Sequence, residues 1–260
     1  MRILFIGDIV GKPGRRGIKE LLPALVKDHS IDIIIANAEN AAAGKGLTRE
    51  IAHELFDQGI AFLTMGNHVW AQREIMDFIG QESRLIRPAN YPPGAPGKGS
   101  GFIRHAGKKI GVINLSGRVY MNPLDDPFAE ASKIVAQMSQ ETSIILVDFH
   151  AEATSEKVAM GWFLDGRVSA VLGTHTHVQT ADGRILPQGT AYITDVGMTG
   201  PQDSVLGVKK EIIINRFLTQ LPAKFELAGG AIQLNAVVMD IDEQTGKARS
   251  IEGVQRFLAS

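Results

Sequence analysis

Polar side chains of the types that bind metal ions follow five runs of apolar residues in this chain. These stretches are Gly7-Asp8, Ala38-Glu39-Asn40, Gly66-Asn67-His68, Phe149-His150 and Gly173-Thr174-His175-Thr176-His177. A polar side chain at the end of a buried strand is poorly placed for packing and well placed to bind a ligand. Together the stretches supply two carboxylates, two amides and four imidazoles. This set suits a hard-to-borderline metal ion better than it suits a hydrophobic core.

Each stretch alone has an ordinary explanation, because an aspartate often caps a helix and a buried histidine is usually a core residue. The combination points to a site. His175 and His177 are two residues apart and therefore lie on the same side of an extended chain. Open α/β sheets bind ligands at their strand ends, so we expect the five stretches to meet at one edge of one sheet. The remaining histidines, His29, His53 and His105, are expected to be solvated.

The elements that would position these residues follow the pattern of a layered α/β fold, in which short apolar runs alternate with amphipathic segments. The pattern predicts strands at residues 2–6, 32–36, 61–65, 109–114, 143–149, 169–172 and 191–194. It predicts helices at 14–27, 48–58 and 127–138, and a C-terminal antiparallel hairpin of 231–241 with 247–257. The sheet is therefore expected to be mixed.

Two glycine- and proline-rich stretches, 88–101 and 199–207, predict irregular loops. A plain connection is the first interpretation of each. Long loops in compact domains are often functional, so contact of Arg87, Tyr91 or residues 199–207 with a ligand stays an alternative.

Composition limits the class of protein. The chain has 260 residues, 44% hydrophobic and 21% charged, which suits one α/β domain over residues 1–260. A formal net charge of -1 gives no reason to expect general attraction to nucleic acid or membranes. The absence of cysteine excludes disulfides, thiolate metal sites and cysteine nucleophiles. No signal peptide and no run of roughly 20 apolar residues is present, so we expect a cytoplasmic protein that does not enter the membrane.

Three other classes of nucleotide- or metal-binding motif do not fit the sequence. The stretch from Gly7 to Pro13 has three residues between its glycines where a P-loop has four, and Pro13 stands where a serine or threonine should hold magnesium. No glycine-rich dinucleotide fingerprint follows the first strand. A TIM-barrel amidohydrolase carries its His-x-His after the first strand, whereas here it comes at residues 175–177.

The order of the polar stretches resembles the calcineurin-like metallophosphoesterases, which read Asp-x-His, Gly-Asp, Gly-Asn-His, a lone His and Gly-x-His along the chain. Two positions depart from that pattern: Val10 stands where the first histidine should be, and Glu39 replaces the bridging aspartate. With the stretches 37–40, 148–157 and 173–182, these departures make the chain similar to the bacterial YmdB-like subfamily over essentially its full length.

The resemblance implies a four-layer α/β/β/α sandwich with mixed sheets. It also implies two divalent metal ions bridged by Glu39. One ion would be completed by Asp8, Asn40 and His177, and the other by Asn67, His150 and His175. Asn40 is the expected substitute for the missing imidazole. This ligand set favours iron or manganese, with zinc and magnesium as alternatives.

The activity that the resemblance implies is hydrolysis of cyclic nucleotides, above all 2′,3′-cyclic ones, by a hydroxide bridging the two ions. The subfamily is also associated with post-transcriptional regulation in bacteria, so RNA ends are an alternative substrate. His68 is the expected catalytic residue, orienting the phosphate and protonating the leaving oxygen. Asp148 should point to the opposite side of its strand from His150 and support the site from behind.

Two alternatives stay open at this stage. A phosphomonoesterase or protein phosphatase would use the same metals, and a metal-binding regulatory protein with little catalytic activity would explain the departures at Val10 and Glu39. The C-terminal hairpin or an exposed edge strand could also pair with a second copy to form a homo-oligomer.

Overall fold

A computed structural model of the chain describes every residue from 1 to 260 and contains thirteen strands and six helices. The strands are β1 (Arg2–Ile6), β2 (Asp8–Ile9), β3 (Ile33–Asn37), β4 (Phe62–Thr64), β5 (Ser100–His105), β6 (Lys108–Ser116), β7 (Ile145–His150), β8 (Ala170–Thr174), β9 (Arg184–Ile185), β10 (Ala191–Ile193), β11 (Met198–Pro201), β12 (Ile232–Ile241) and β13 (Ala248–Leu258). The helices are α1 (Gly11–His29), α2 (Arg49–Asp57), α3 (Ile75–Phe78), α4 (Pro127–Met138), α5 (Thr154–Leu164) and α6 (Lys210–Thr219).

The strands form two mixed sheets. The first has the order β2-β11-β12-β1-β3-β4, with β13 paired to β12, and the second has the order β5-β6-β7-β8-β10-β9. In the first sheet β1, β3 and β4 are parallel, while the C-terminal hairpin β12–β13 joins antiparallel to β1. In the second sheet β6, β7, β8 and β10 are parallel. The prediction of mixed pairing is confirmed.

Side-chain alternation along β1 shows how the layers are built. Ile3 and Phe5 lie in the core between the two sheets, whereas Leu4 and Ile6 lie in the core under α1 and α2. Successive residues of a strand point to opposite faces, so one strand contributes to both cores. The first sheet is therefore buried on both faces, which explains its nearly continuous apolar runs.

The second sheet is also buried on both faces, one facing the core between the sheets and the other facing helices. Val112 and Leu146 face the core between the sheets, whereas Ile113 and Val147 pack against α4 and α5. Three cores separate four layers, and the predicted four-layer α/β/β/α sandwich is confirmed. The expectation that the polar stretches end one open sheet was wrong, because Asp8, Glu39 and Asn67 follow strands of the first sheet whereas His150 and His175 belong to the second.

Local signals account for the helices that were predicted. The Thr48 side chain accepts a hydrogen bond from the Ile51 amide at the start of α2. Helix α4 begins at Pro127 and ends at Met138, as predicted. The elements that were missed lack such signals: α5 has Glu156 and Lys157 on its buried side, and α6 has no buried residue at all. The loop predicted at 199–207 is partly strand, because β11 runs from Met198 to Pro201.

No helix of this structure combines the length and the apolar character that crossing a membrane requires.

The start of α4 gives a test of the local folding rules. The Asp126 carboxylate accepts hydrogen bonds from the amides of Phe128 and Ala129. We expect Asp126→Ala to lower the free energy of unfolding by about 1 kcal/mol, since two amides lose their cap. Asp125→Ala is the control, because that side chain is exposed and does not cap the helix. Urea denaturation of both variants measures the difference, and equal stability would contradict the capping role.

Candidate metal centre

The carboxyl ends of five strands bring the predicted ligands together. Asp8 follows β1, Glu39 follows β3 and Asn67 follows β4 in the first sheet, while β7 ends at His150 and β8 is followed by His175. Because the two sheets stack face to face, these ends meet at one edge of the sandwich. Gly66, before Asn67, makes the approach possible, since a Cβ there would overlap Glu39 Oε2 and the His150 ring.

One cluster contains Glu39, Asn67, His150 and His175. His150 Nε2 lies 2.9 Å from Asn67 Oδ1, 3.0 Å from His175 Nδ1 and 3.3 Å from Glu39 Oε2. Two atoms that bind one ion at about 2.1 Å and at right angles to each other are about 3 Å apart. The three distances therefore match the spacing of ligand atoms around a single metal ion. Potential ligand atoms of Glu39, His150 and His175 all lie within 4.8 Å of one another.

The hydrogen bonds behind His150 determine its tautomer. Thr174 Oγ1 donates to Asp148 Oδ1 at 2.7 Å, so the same hydroxyl can only accept from His150 Nδ1, which lies 2.9 Å away. In the neutral imidazole the proton is then on Nδ1, and the lone pair of Nε2 points at the ligand cluster. Asp148 thus supports the site from behind through Thr174, as predicted. The expectation that its side chain points to the opposite side of the strand from His150 was wrong, because residues two apart share a face and both side chains contact the first-sheet side.

The other three predicted ligands are Asp8, Asn40 and His177. Asp8 Oδ1 and Asn40 Oδ1 are buried and have no hydrogen-bond partner, which is costly unless something else satisfies them. The other Asp8 oxygen accepts from the His175 amide at 3.1 Å. His177 Nδ1 lies 3.2 Å from the Leu206 carbonyl, so Nδ1 donates and Nε2 is left free as a ligand atom. These unpartnered atoms fit a cation.

The charges of the site favour a cation as well. Burial raises the pKa of Asp8. Burial would also raise the pKa of Glu39, but the neighbouring His150 outweighs it and holds that pKa well below its ordinary value. Burial opposes a charge on His150, yet Glu39 raises the His150 pKa to about 9. Burial and the charge on His150 together lower the pKa of His175 to about 3. Two buried acidic side chains and two imidazoles therefore share one desolvated site, in which a divalent ion would stabilise the ionised carboxylates.

His68, the predicted catalytic residue, lies among the predicted ligands. Its Nδ1 is 3.1 Å from Asn40 Nδ2 and 3.2 Å from Glu39 Oε1, and its amide donates to Glu39 Oε2 at 3.0 Å. The side chain is 28% exposed, so it lies at the mouth of the site.

The loop that carries His175 and His177 has a strained backbone. Both residues have positive φ, 99° and 66°, which non-glycine residues adopt at a cost. Asp195 holds the loop, because its Oδ2 accepts from the Thr176 amide at 3.0 Å and from the Thr176 hydroxyl at 2.7 Å. The same oxygen pairs with the buried Lys157 ammonium at 2.7 Å.

No sequence pattern predicted a role for Thr174, Lys157 or Asp195. Asp195 did carry a signal, since it follows the predicted strand 191–194 in the same way that the ligands follow theirs. Arg87 was an alternative ligand contact, but its guanidinium donates to the carbonyls of Pro88, Ala95 and Pro96 and so stabilises its own loop.

The fold and the site together define a calcineurin-like metallophosphoesterase, in which carboxylates, amides and imidazoles at the strand ends of two stacked sheets converge on one metal-binding edge. A model of the YmdB-like protein family matches residues 4–254. The chain belongs to this YmdB-like family.

Individual relatives agree with this assignment. A Bacillus subtilis protein named 2′,3′-cyclic-nucleotide 2′-phosphodiesterase is 57% identical over 98% of this chain and 96% of its own length. The crystal structure of a novel phosphatase from Mycoplasma pneumoniae has a TM-score of 0.94 at 37% identity, covering 99% of this chain and 93% of that one. A Staphylococcus aureus structure described as a candidate 5′-nucleotidase has a TM-score of 0.59 at 14% identity, covering 100% of this chain and 54% of its own, and shows the fold alone.

The Thr174 hydroxyl gives a test of the support behind His150. We expect Thr174→Val to weaken Mn²⁺ binding by roughly 10–100-fold, because His150 loses the group that orients its ring. Isothermal titration calorimetry measures this change. Thr190→Val is the matched control, since it removes a buried hydroxyl just before β10 that bonds only backbone groups. Equal Mn²⁺ affinity in the two variants would contradict the orienting role.

The Lys157–Asp195 pair gives a stability test. Both side chains are almost fully buried, so Lys157→Met leaves an uncompensated buried carboxylate. We expect the free energy of unfolding to fall by about 3–5 kcal/mol. Lys133→Met is the control, because the Lys133 side chain is 65% exposed and pairs with Glu130 at the surface. Urea denaturation compares the two, and a Lys157→Met variant as stable as the control would refute the role of the pair.

Proposed function

We propose that this protein is a metal-dependent phosphodiesterase that hydrolyses cyclic nucleotides, with 2′,3′-cyclic nucleotides as the foremost substrates. The observation that carries the proposal is the cluster of three potential ligand atoms around His150 Nε2, together with two buried oxygens of predicted ligands that have no partner, Asp8 Oδ1 and Asn40 Oδ1. Such an arrangement is costly in the absence of a cation and natural in its presence.

The predicted enzyme class is confirmed. The chain is a hydrolase of phosphoric ester bonds, as its family and the Bacillus subtilis relative, 57% identical over 98% of this chain, indicate. The choice of substrate is our proposal, supported by the name of that relative. One domain over residues 1–260, a cytoplasmic location, RNA ends as a second substrate and a homo-oligomer stay predictions from the sequence.

We propose two divalent ions, iron or manganese, with Glu39 between them. Asn67, His150 and His175 would hold one ion, and Asp8, Asn40 and His177 the other. When bound, such a pair supplies an activated water and neutralises charge on the phosphoryl group. The surrounding residues orient the ligands. Thr174 orients the His150 ring, and the Leu206 carbonyl orients the His177 ring. The contacts of Asp195 to Thr176 hold the histidine loop in its strained conformation.

His68 has the geometry of a general acid. Its Nδ1 faces Glu39 and Asn40, which leaves Nε2, the nitrogen on the far side of the ring, free for substrate. The partly exposed position at the mouth of the site lets this ring reach a bound phosphate ester. We propose that His68 orients the phosphate and gives its Nε2 proton to the leaving oxygen.

A substitution of His68 separates this role from that of a metal ligand. We expect His68→Ala to keep its bound metal while hydrolysis of 2′,3′-cyclic AMP falls by roughly 10²–10⁴-fold. His150→Ala should lose metal and activity together. His53→Ala is the control, because His53 is exposed and distant from the ligands. Metal analysis of the purified variants and steady-state kinetics decide the matter, and loss of metal from His68→Ala would instead make His68 a ligand.

The same preparations separate a diesterase from a monoesterase. We expect faster hydrolysis of bis(p-nitrophenyl) phosphate than of the p-nitrophenyl monoester, and the reverse preference would favour a phosphatase. Metal-loaded protein without turnover of either compound would favour a regulatory metal-binding protein.

A further inference from the structure

A groove of about 440 Å³ lies between the loop after Asn40 and the segment that carries α6. One wall consists of residues 42–45, and the other of Val208 and residues 223–227. Its volume falls in the range of roughly 300–1,000 Å³ that is typical of small-molecule sites. Three other concavities of this size or larger lie elsewhere, formed by residues such as Ile79 and Met138, by residues such as Arg49 and Asp77, and by residues such as Arg104 and Glu141. No predicted metal ligand lines any of the four, so the contacts of the surrounding segments distinguish this groove.

Both walls of this groove are attached to the metal centre. On one side, Gly44 exchanges two hydrogen bonds with Asn40: its amide donates to the Asn40 carbonyl at 3.1 Å, and its carbonyl accepts from Asn40 Nδ2 at 3.0 Å. On the other side, the Leu206 carbonyl contacts His177 Nδ1 at 3.2 Å. Asn40 and His177 belong to the same predicted metal site. Segments next to both walls of the groove are therefore hydrogen-bonded to two residues predicted as ligands of one ion, which places the groove beside the metal centre.

Leu227 forms the floor and joins the walls. A Cβ at Gly11 would overlap the Leu227 side chain, and a Cβ at Gly44 would lie 3.0 Å from it, so both glycines let Leu227 pack against their backbone. The Lys209 amide donates to the Glu226 carbonyl at 2.9 Å, and the two side chains form an ion pair. The outer wall is thus anchored at its base although α6 itself buries no residue.

The chemistry of the groove suits a flat aromatic ring. Phe225 lines it with 43% of its surface exposed, and the Arg216 guanidinium lies 5.0 Å from the centre of the Phe225 ring, which supports the ring in place. The lining from the loop after Asn40 includes the small residues Ala42, Ala43 and Gly44, which leave room for a ring. Exposed Lys45 adds one positive charge at the rim.

We propose that this groove binds the nucleoside part of the substrate, with its base stacked on Phe225 and its phosphate directed toward the metal centre. The inference rests on the proposed phosphodiesterase function and deepens it. Stacking on an aromatic side chain tolerates any base, so the groove would favour nucleotides over phosphodiesters without a base while discriminating weakly among the bases.

The test compares Phe225→Ala with Phe217→Ala, both in the full-length, Mn²⁺-loaded protein. Phe217 is the matched control, because it lies in the same segment, is 73% exposed and is outside the groove. We expect Phe225→Ala to raise the KM for 2′,3′-cyclic AMP by about 10-fold, a typical effect of losing one base–aromatic stack. The preference for 2′,3′-cyclic AMP over glycerol 1,2-cyclic phosphate, which has no base, should fall by the same factor. Phe217→Ala should keep the wild-type KM and preference.

Ala223→Trp provides a second variant that fills the groove and should raise the same KM. Unchanged KM and substrate preference in both groove variants, with an active wild type, would overturn the groove and leave the phosphodiesterase function standing. If the wild type hydrolyses neither compound, the proposed function fails, and calorimetric binding of 3′-AMP tests the groove alone. Binding weakened about 10-fold by Phe225→Ala would then support the groove, and equal or absent binding would overturn it.

Discussion

The buried Asp148 carboxylate is the group on which the rest of the site depends. It accepts hydrogen bonds from Asn37 and Thr64 of the first sheet and from Thr174 of the second, so it joins the two sheets at their metal-binding edge. Burial raises its pKa to about 6 against the opposing effect of these partners and His150. A buried carboxylate is tolerated only when it is satisfied in this way, and the same bonds set the relative position of the strand ends.

The histidine loop depends on a second buried charge. Lys157 and Asp195 are both inaccessible to solvent, and Asp195 uses its remaining capacity to hold Thr176 between two histidines with positive φ. The cost of the strained backbone is therefore met by interactions outside the ligand set. Metal sites commonly have few ligands and many neighbouring residues that orient them.

Val10, one of the two residues that depart from the superfamily pattern, has a packing role. It is buried, and its side chain lies against Gly207 and Gly200, next to the Leu206 carbonyl that contacts His177. A histidine could not take this place without moving the segment that forms the outer wall of the groove. The absence of a histidine at position 10 and the position of the groove wall are therefore linked by this packing. Asn40 then supplies the amide beside the metal site.

The sequence by itself determined most of the regular elements, the layered α/β class and the residue types of the site, because period-two and helical apolar patterns, caps and strand-end polar residues are local properties. Helix α4 and the C-terminal hairpin followed from such patterns almost to the residue. Only the tertiary structure decided that the strands divide into two sheets, that Thr174 sets the His150 tautomer, and that Asp195 anchors the histidine loop. These features join residues far apart in the chain, such as Asn37 with Asp148, and no local pattern encodes which distant partner satisfies a buried polar group. The ligands could be predicted because they lie at strand ends, which are local features of the sequence. Their positions relative to one another come from the packing of one sheet on the other.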